Sequence, residues 1–80
     1  MTITVLLFAS YADALGRTRM DIAADPGVTV ADVLAKVRSL RGADRLPPRP
    51  LVAVNHEYAD YDRVLGADDE VALIPPVAGG

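Results

Sequence analysis

The sequence predicts one α+β domain in which a single main helix packs across a mixed sheet of four to five strands. The 80 residues leave room for one small domain, and 51% are hydrophobic while 24% are charged, which favours a folded chain over a disordered one. Short apolar runs are separated by turn residues, and one longer segment repeats its apolar residues at helical spacing. We expect a single domain over residues 1–80, with residues 75–80 as a flexible tail.

The first strand is predicted at residues 2–10, a segment rich in β-branched and large apolar side chains. Its odd-numbered apolar residues lie on one face, whereas Leu6 and Phe8 lie on the other, so both faces are apolar. A chain of 80 residues has little material with which to cover two faces of a sheet. The pattern indicates either a fully buried strand or a face that a partner covers.

A short helical segment and a second strand are predicted next. Residues 11–15 form a helical turn that ends at Gly16, and residues 18–23 alternate apolar with polar side chains, as a half-buried strand does. Pro26 and Gly27 then supply the fixed and the permissive backbone of a tight turn. The chain is therefore expected to reverse direction before the main helix.

The main helix has the clearest start signal in the sequence. Thr29 is a preferred N-cap residue, and Asp32 three positions later completes a capping box. Apolar residues recur at helical spacing from Val30, and Gly42 is predicted to end the helix. Residues 42–50 contain three prolines and predict an extended connector.

Three further strands complete the predicted sheet. Leu51–Val54 is a short apolar strand, residues 58–59 add a brief one after a turn, and Glu70–Ile74 forms the last. The order is strand, strand, helix, strand, short strand, strand. This order is typical of an α+β fold with one helix on a mixed sheet.

Composition excludes several classes of function. A net charge of −3 and a pI near 4.8 argue against binding to nucleic acid, and no apolar run approaches the roughly 20 residues of a membrane span. The absence of cysteine excludes disulfides and thiolate ligands and fits a reducing, cytoplasmic location. We therefore expect neither a nucleic acid nor a membrane as partner.

Few residues suggest catalysis. His56 lies in a predicted turn, where a solvated surface group is the favoured interpretation. Asp60, Asp62 and Gly66 faintly suggest a calcium loop, but its twelfth position is Val71, which cannot supply the required carboxylate. We expect no bound metal and no bound cofactor.

The end of the sequence is its most informative feature. Proline pairs favour an extended backbone, and two final glycines without side chains let the last carboxylate enter a narrow passage. That carboxylate is ionised at neutral pH, so another protein must activate it before it can react. The alternative is a frayed terminus or a cloning scar. The segment predicted to insert into a partner is Pro75, Pro76, Val77, Ala78, Gly79 and Gly80.

The chain resembles the small subunit of molybdopterin synthase, a family of ubiquitin-like sulfur carriers. The likeness rests on residues 7–9 and 15–16, on residues 52–55, and above all on residues 69–72 followed by 75–80. It implies a β-grasp fold. The family pattern has glycine where this chain has Asp68, so a left-handed backbone at that residue would be mildly strained, although Asp tolerates it, and we expect a local adjustment without loss of function.

The resemblance also implies a chemistry and a set of partners. The Gly80 carboxylate would be adenylated by a ubiquitin-activating-like adenylyltransferase that uses ATP, and then converted to a thiocarboxylate. Two carriers and two large subunits would form a heterotetramer in which the large subunit holds the catalytic residues. The chain would thus act as a co-substrate that delivers sulfur to cyclic pyranopterin monophosphate. By matched position, Phe8, Tyr58 and Ile74 would dock the large subunit.

Other functions stay open at this point. A diglycine carrier of this kind could serve thiamin thiazole or cysteine synthesis, because the activation chemistry is shared. A ubiquitin-like modifier joined to lysines is a different class, and a plain interaction module with an accidental tail is a third.

Overall fold

The computed structural model describes residues 1–47 and 49–75, so the predictions for Pro76, Val77, Ala78, Gly79 and Gly80 lie outside the described residues. The sheet has five strands in the order β2-β1-β5-β3-β4, which confirms the predicted mixed α+β β-grasp architecture. The elements are β1 (Thr2–Leu7), α1 (Ala9–Leu15), β2 (Arg19–Ala23), α2 (Val30–Arg38), a 3₁₀ helix (Ala43–Arg45), β3 (Leu51–Val54), β4 (Glu57–Tyr58) and β5 (Glu70–Ile74).

The first and last strands pair at the centre of the sheet. β1 and β5 run parallel, with Leu7 opposite Leu73, while β2 pairs antiparallel with β1 on one side. β3 pairs antiparallel with β5 on the other side, with Leu51 opposite Ile74. The carboxyl ends of β1 and β5 therefore meet the start of β3 at one end of the sheet.

Alternate residues of each long strand form the core. Val5 and Val71, which are Cα partners on β1 and β5, are almost completely buried, as are Val33 and Val37 of α2. Burial of such side chains contributes roughly 1.5–3 kcal/mol each. The most deeply buried large side chains are Ile3, Leu7, Leu73, Val5, Val30, Val33, Val37, Val54 and Val71.

The start of α2 agrees with its sequence signal, and its end does not. Thr29 Oγ1 accepts from the Asp32 amide at 3.2 Å, and Asp32 Oδ2 accepts from the Thr29 amide at 3.0 Å, so the capping box is confirmed. The predicted end at Gly42 is wrong, because α2 ends at Arg38 and Ser39 caps it. The amides of Ser39 and Leu40 donate to carbonyls three residues earlier, as in a 3₁₀ turn. The Leu40 side chain is exposed, so its burial does not stabilise a longer helix.

Two other boundaries differ from the prediction. β1 ends at Leu7, because the chain turns at Ala9, where φ is +47°, into an α1 that is longer than the predicted helical turn. The prediction of an extended connector over residues 42–50 is also wrong in part, since Ala43–Arg45 form a 3₁₀ helix. Ala43 and Leu46 are buried, and this burial folds the connector against the core.

Candidate functional site

The sheet has a second apolar face, opposite the helix α2. On β1 and β5, Leu6 lies beside Ala72, and this row continues through Ala53 to Tyr58 on β3 and β4. Cα partners in neighbouring strands share a face, so these side chains form one continuous surface. We define the outer face by Leu6, Phe8, Leu51, Ala53, Tyr58, Ala72 and Ile74.

Large side chains on this face remain accessible to solvent. Phe8 is 48% exposed, Leu51 52% and Tyr58 74%, whereas Ile74 is half-buried. A contiguous apolar patch of this kind on a small protein usually marks an interaction surface, and aromatic side chains are its usual anchors. The arrangement is suited to binding an apolar surface of another protein.

The structure brings the predicted docking residues to this one face. Phe8 follows the last residue of β1, Ile74 ends β5, and Tyr58 lies in β4 at the edge of the sheet. Their docking role stays a prediction. Sequence reasoning missed Leu51 and Ala53, although β3 is apolar on both parities, the same signal that singled out β1.

The chain leaves the sheet from its central strand. β5 ends at Ile74, whose Cα partner is Leu51, and the preceding Leu73 pairs with Leu7, the neighbour of Phe8. Pro75 therefore begins the segment that the sequence predicts to insert, at the end of the sheet flanked by Phe8 and Leu51.

A polar cluster fixes the start of the same strand. Asp69 accepts from the Gly66 amide and from Asn55 Nδ2, both at 2.8 Å, and Asn55 Oδ1 accepts from the Glu70 amide at 3.0 Å. These hydrogen bonds, first that of Gly66 and then that of Asn55, lower the pKa of Asp69. The turn that enters β5 is thus tied to the turn that follows β3.

The backbone strain of this region falls on the turn between β3 and β4. Asp68, where the family pattern has glycine, does not adopt a positive φ, whereas Asn55 (φ +52°) and His56 (φ +73°) do. His56 is exposed, and its Nε2 lies 3.6 Å from Glu70 Oε1. Asparagine and its neighbour in a left-handed pair suit the tight hairpin turn between β3 and β4.

In residues 1–47 and 49–75, no group of three or more His, Asp or Glu side chains is placed to hold a metal ion. Within the same ranges, no helix has both the length and the apolar character needed to cross a bilayer. The one buried polar atom found without a partner there is the Tyr11 hydroxyl, whose pKa is raised chiefly by burial.

The fold is that of a ubiquitin-like β-grasp protein. Its first and last strands are parallel at the centre of a mixed sheet, one helix crosses the sheet, and the opposite face is apolar and open. The solved structure of SAMP1 from Haloferax volcanii superposes with a TM-score of 0.85 at 30% identity, covering 100% of both chains. The complex of subunits 1 and 2 of the molybdopterin-converting factor from Helicobacter pylori contains a chain with this fold, since that match gives a TM-score of 0.77 at 22% identity.

The chain belongs to the ThiS family, whose profile matches residues 5–80. It is 38% identical over 80 residues to the molybdopterin synthase sulfur carrier subunit of Escherichia coli K12, covering 98% of this chain and 99% of that protein. The protein of the same description from Chlamydomonas reinhardtii is 32% identical over 83 residues, covering 100% of both. These similarities support a sulfur-carrier role.

Proposed function

We propose that this protein is the sulfur-carrier small subunit of molybdopterin synthase. The observation that carries the proposal is its similarity, over 98% of its length, to a sulfur carrier subunit of that enzyme. The structure supports it in a second way, because the chain leaves the central strand next to Phe8 and Leu51 on the outer face. A partner that covers this face would also receive the segment that begins at Pro75.

The proposed reaction takes place at the Gly80 carboxylate. A carboxylate oxygen attacks the α-phosphorus of ATP on a ubiquitin-activating-like adenylyltransferase, which forms an acyl adenylate and releases pyrophosphate. A sulfide-equivalent nucleophile then displaces AMP from the acyl carbon and leaves a thiocarboxylate. Each carrier transfers its one sulfur to cyclic pyranopterin monophosphate, where the sulfur replaces an oxygen that leaves as water, and a water molecule adds to the Gly80 acyl carbon and regenerates the carboxylate. Two such transfers supply the two sulfurs of the molybdopterin dithiolene.

The proposed partner is the large subunit of the synthase, in a heterotetramer of two small and two large subunits in the cytoplasm. Phe8, Tyr58 and Ile74 would contact it, and it would supply the catalytic side chains. Insertion of Pro76, Val77, Ala78 and Gly79 would bring the terminal thiocarboxylate to its active site. The carrier would then act as a co-substrate, with ATP consumed only by the activating enzyme.

Intact-mass spectrometry tests the chemistry. Incubation with ATP, the activating enzyme and a sulfur source should raise the mass by the difference between one sulfur and one oxygen atom. A variant without Gly79 and Gly80 is the matched control, and it should show no gain while keeping its melting temperature, because terminal residues contribute little to stability. An unchanged mass of the full chain under saturating conditions would contradict the proposal.

Capture of the large subunit tests the pathway. Binding to it, followed by conversion of cyclic pyranopterin monophosphate in the reconstituted pair, is expected of the proposed carrier. A carrier that forms the thiocarboxylate but does not bind the large subunit would instead belong to thiamin thiazole or cysteine synthesis.

A protein modifier is the second candidate, and specific similarities favour it. Two structures of small archaeal modifier protein 1 from Haloferax volcanii match with TM-scores of 0.85 and 0.82 at 30% and 29% identity. In that role the Gly80 acyl group would pass to a lysine amine of another protein. Tryptic peptides from cell extracts in which a lysine carries residues 64–80 of this chain, joined through Gly80 by an isopeptide bond, would establish it.

A further inference from the structure

The placement of the amines in this chain bears on how long an activated terminus survives. The sequence has a single lysine, Lys36, and the rest of its eight Lys and Arg residues are arginines, whose guanidinium groups stay protonated and do not attack acyl groups at neutral pH. Lys36 Nζ donates to the carbonyl of Ala23, and the Met1 amine donates to the carbonyl of Ala24 at 3.0 Å. Both amines therefore lie where β2 ends.

That position is at the opposite end of the sheet from Ile74. Ala23 pairs with Thr2 at the start of β1, whereas Ile74 lies level with Phe8, just beyond the end of β1. Six residues along a strand span about 20 Å, and the step from β2 to β5 adds about 10 Å sideways, giving a separation of about 22 Å. Six residues from Pro75 to Gly80 reach at most about 20–22 Å, so the terminal carbonyl could approach either amine only if all six residues were fully extended back along the sheet.

We propose that this layout keeps the activated Gly80 carbonyl away from the protein's own amines, so that it is preserved for an external nucleophile. The inference rests on the proposed function, in which that carbonyl is activated. The reaction avoided is acylation of an amine: its nitrogen bonds to the Gly80 carbon, the AMP or thiol leaving group departs, and the ammonium proton goes to solvent. The amide product would be a dead end, because it cannot accept sulfur.

An amine near the exit of the chain should undo this protection. Arg49 lies two residues before Leu51, the partner of Ile74, and its guanidinium carbon sits 4.5 Å from the centre of the Tyr61 ring. Arg49→Lys therefore places an amine beside the exit at constant charge. Arg63→Lys is the matched control, because the Arg63 carbonyl accepts from the Val30 amide at 3.0 Å, at the start of α2.

The test uses the full chain released from an intein fusion as a C-terminal thioester, which activates Gly80 without the adenylyltransferase. Intact mass distinguishes hydrolysis to the carboxylate from intramolecular amide formation, in which the product is lighter than the acid by one water. Peptide mapping locates the amide. Circular dichroism confirms that each variant is folded.

The unmodified chain and Arg63→Lys should mainly hydrolyse. Arg49→Lys should instead form an amide between its introduced side-chain amine and Gly80, at least about tenfold faster than either of the other two chains forms any amide. Rapid amide formation at Lys36 or Met1 in the unmodified chain, or no gain in Arg49→Lys, overturns the inference. Pyrophosphate release with the adenylyltransferase, measured separately, reports on the proposed function, so the two failures are distinguishable.

Discussion

Under the proposed function, replacement of Phe8 by alanine should weaken binding of the large synthase subunit without unfolding the protein. A phenylalanine side chain presents about 200 Å² to water when fully accessible. Phe8 is 48% exposed, so docking can cover about 100 Å² of it, worth about 2.5 kcal/mol at ~25 cal/mol per Å². Because association also costs ordering of the interface, we expect a rise in Kd of about 10- to 50-fold.

Isothermal titration of the carrier into the large subunit measures this effect. Val64→Ala is the matched control, because Val64 is 61% exposed but bridges Thr29 at the start of α2, away from the outer face. That control should leave Kd within about twofold of the original. The interpretation of the outer face is refuted if Phe8→Ala binds as well as the control, or if Phe8→Ala lowers the melting temperature so far that Phe8 must be a core residue.

Three further predictions concern the turns that hold β5 and α1. Asn55→Ala removes two hydrogen bonds and puts alanine in a left-handed conformation, which should lower the free energy of unfolding in urea titration by about 1–3 kcal/mol. Asn55→Gly should lose less, because glycine adopts the left-handed conformation without strain. The pKa of Asp69 is lowered in the folded state, so its ionised carboxylate stabilises the fold above pH ~4, and this stabilisation is lost as pH falls through the folded pKa. The unfolding free energy of Asp69→Asn should therefore fall less than that of the unmodified chain when both are titrated with acid. Gly42→Ala should destabilise the fold by more than about 2 kcal/mol in thermal unfolding, because the added Cβ would clash with a backbone carbonyl of α1. Gly27 also has a positive φ, but an added Cβ there would meet no other atom, so Gly27→Ala should cost only about 1 kcal/mol. Equal losses for the two glycines would show that the contact with α1 is unimportant.

Local signals accounted for most of the fold. The capping box at Thr29 and Asp32 is encoded within four residues, and the alternation of Ile3 and Val5 with their neighbours fixes which face of β1 meets the core. The end of α2 and the 3₁₀ helix were not predictable in this way. They depend on Ala43 entering the core and on other contacts between distant parts of the chain, which no local pattern records.

The candidate site was predictable only in part. Apolar residues on both faces of β1 indicated that Phe8 lies on a second apolar face, and the same pattern in β3 would have indicated Leu51. That Leu51 stands beside Ile74 follows from strand pairing, which a sequence does not specify by itself. The docking residues were matched to a family pattern, and the structure adds that Phe8, Tyr58 and Ile74 share one face.

The central pairing of β1 with β5 links docking to delivery in the proposed function. A parallel pair puts the carboxyl ends of both strands at the same end of the sheet, so Phe8 and the exit of the chain at Ile74 are neighbours. The same pairing sends the start of β1, and with it the amines of Met1 and Lys36, to the far end. Because one feature of the topology sets both distances, a partner that covers the outer face meets the terminus close by, while the competing amines of the carrier stay remote. Any rearrangement that moved the exit to an edge strand would separate the terminus from the docking surface and remove both advantages together.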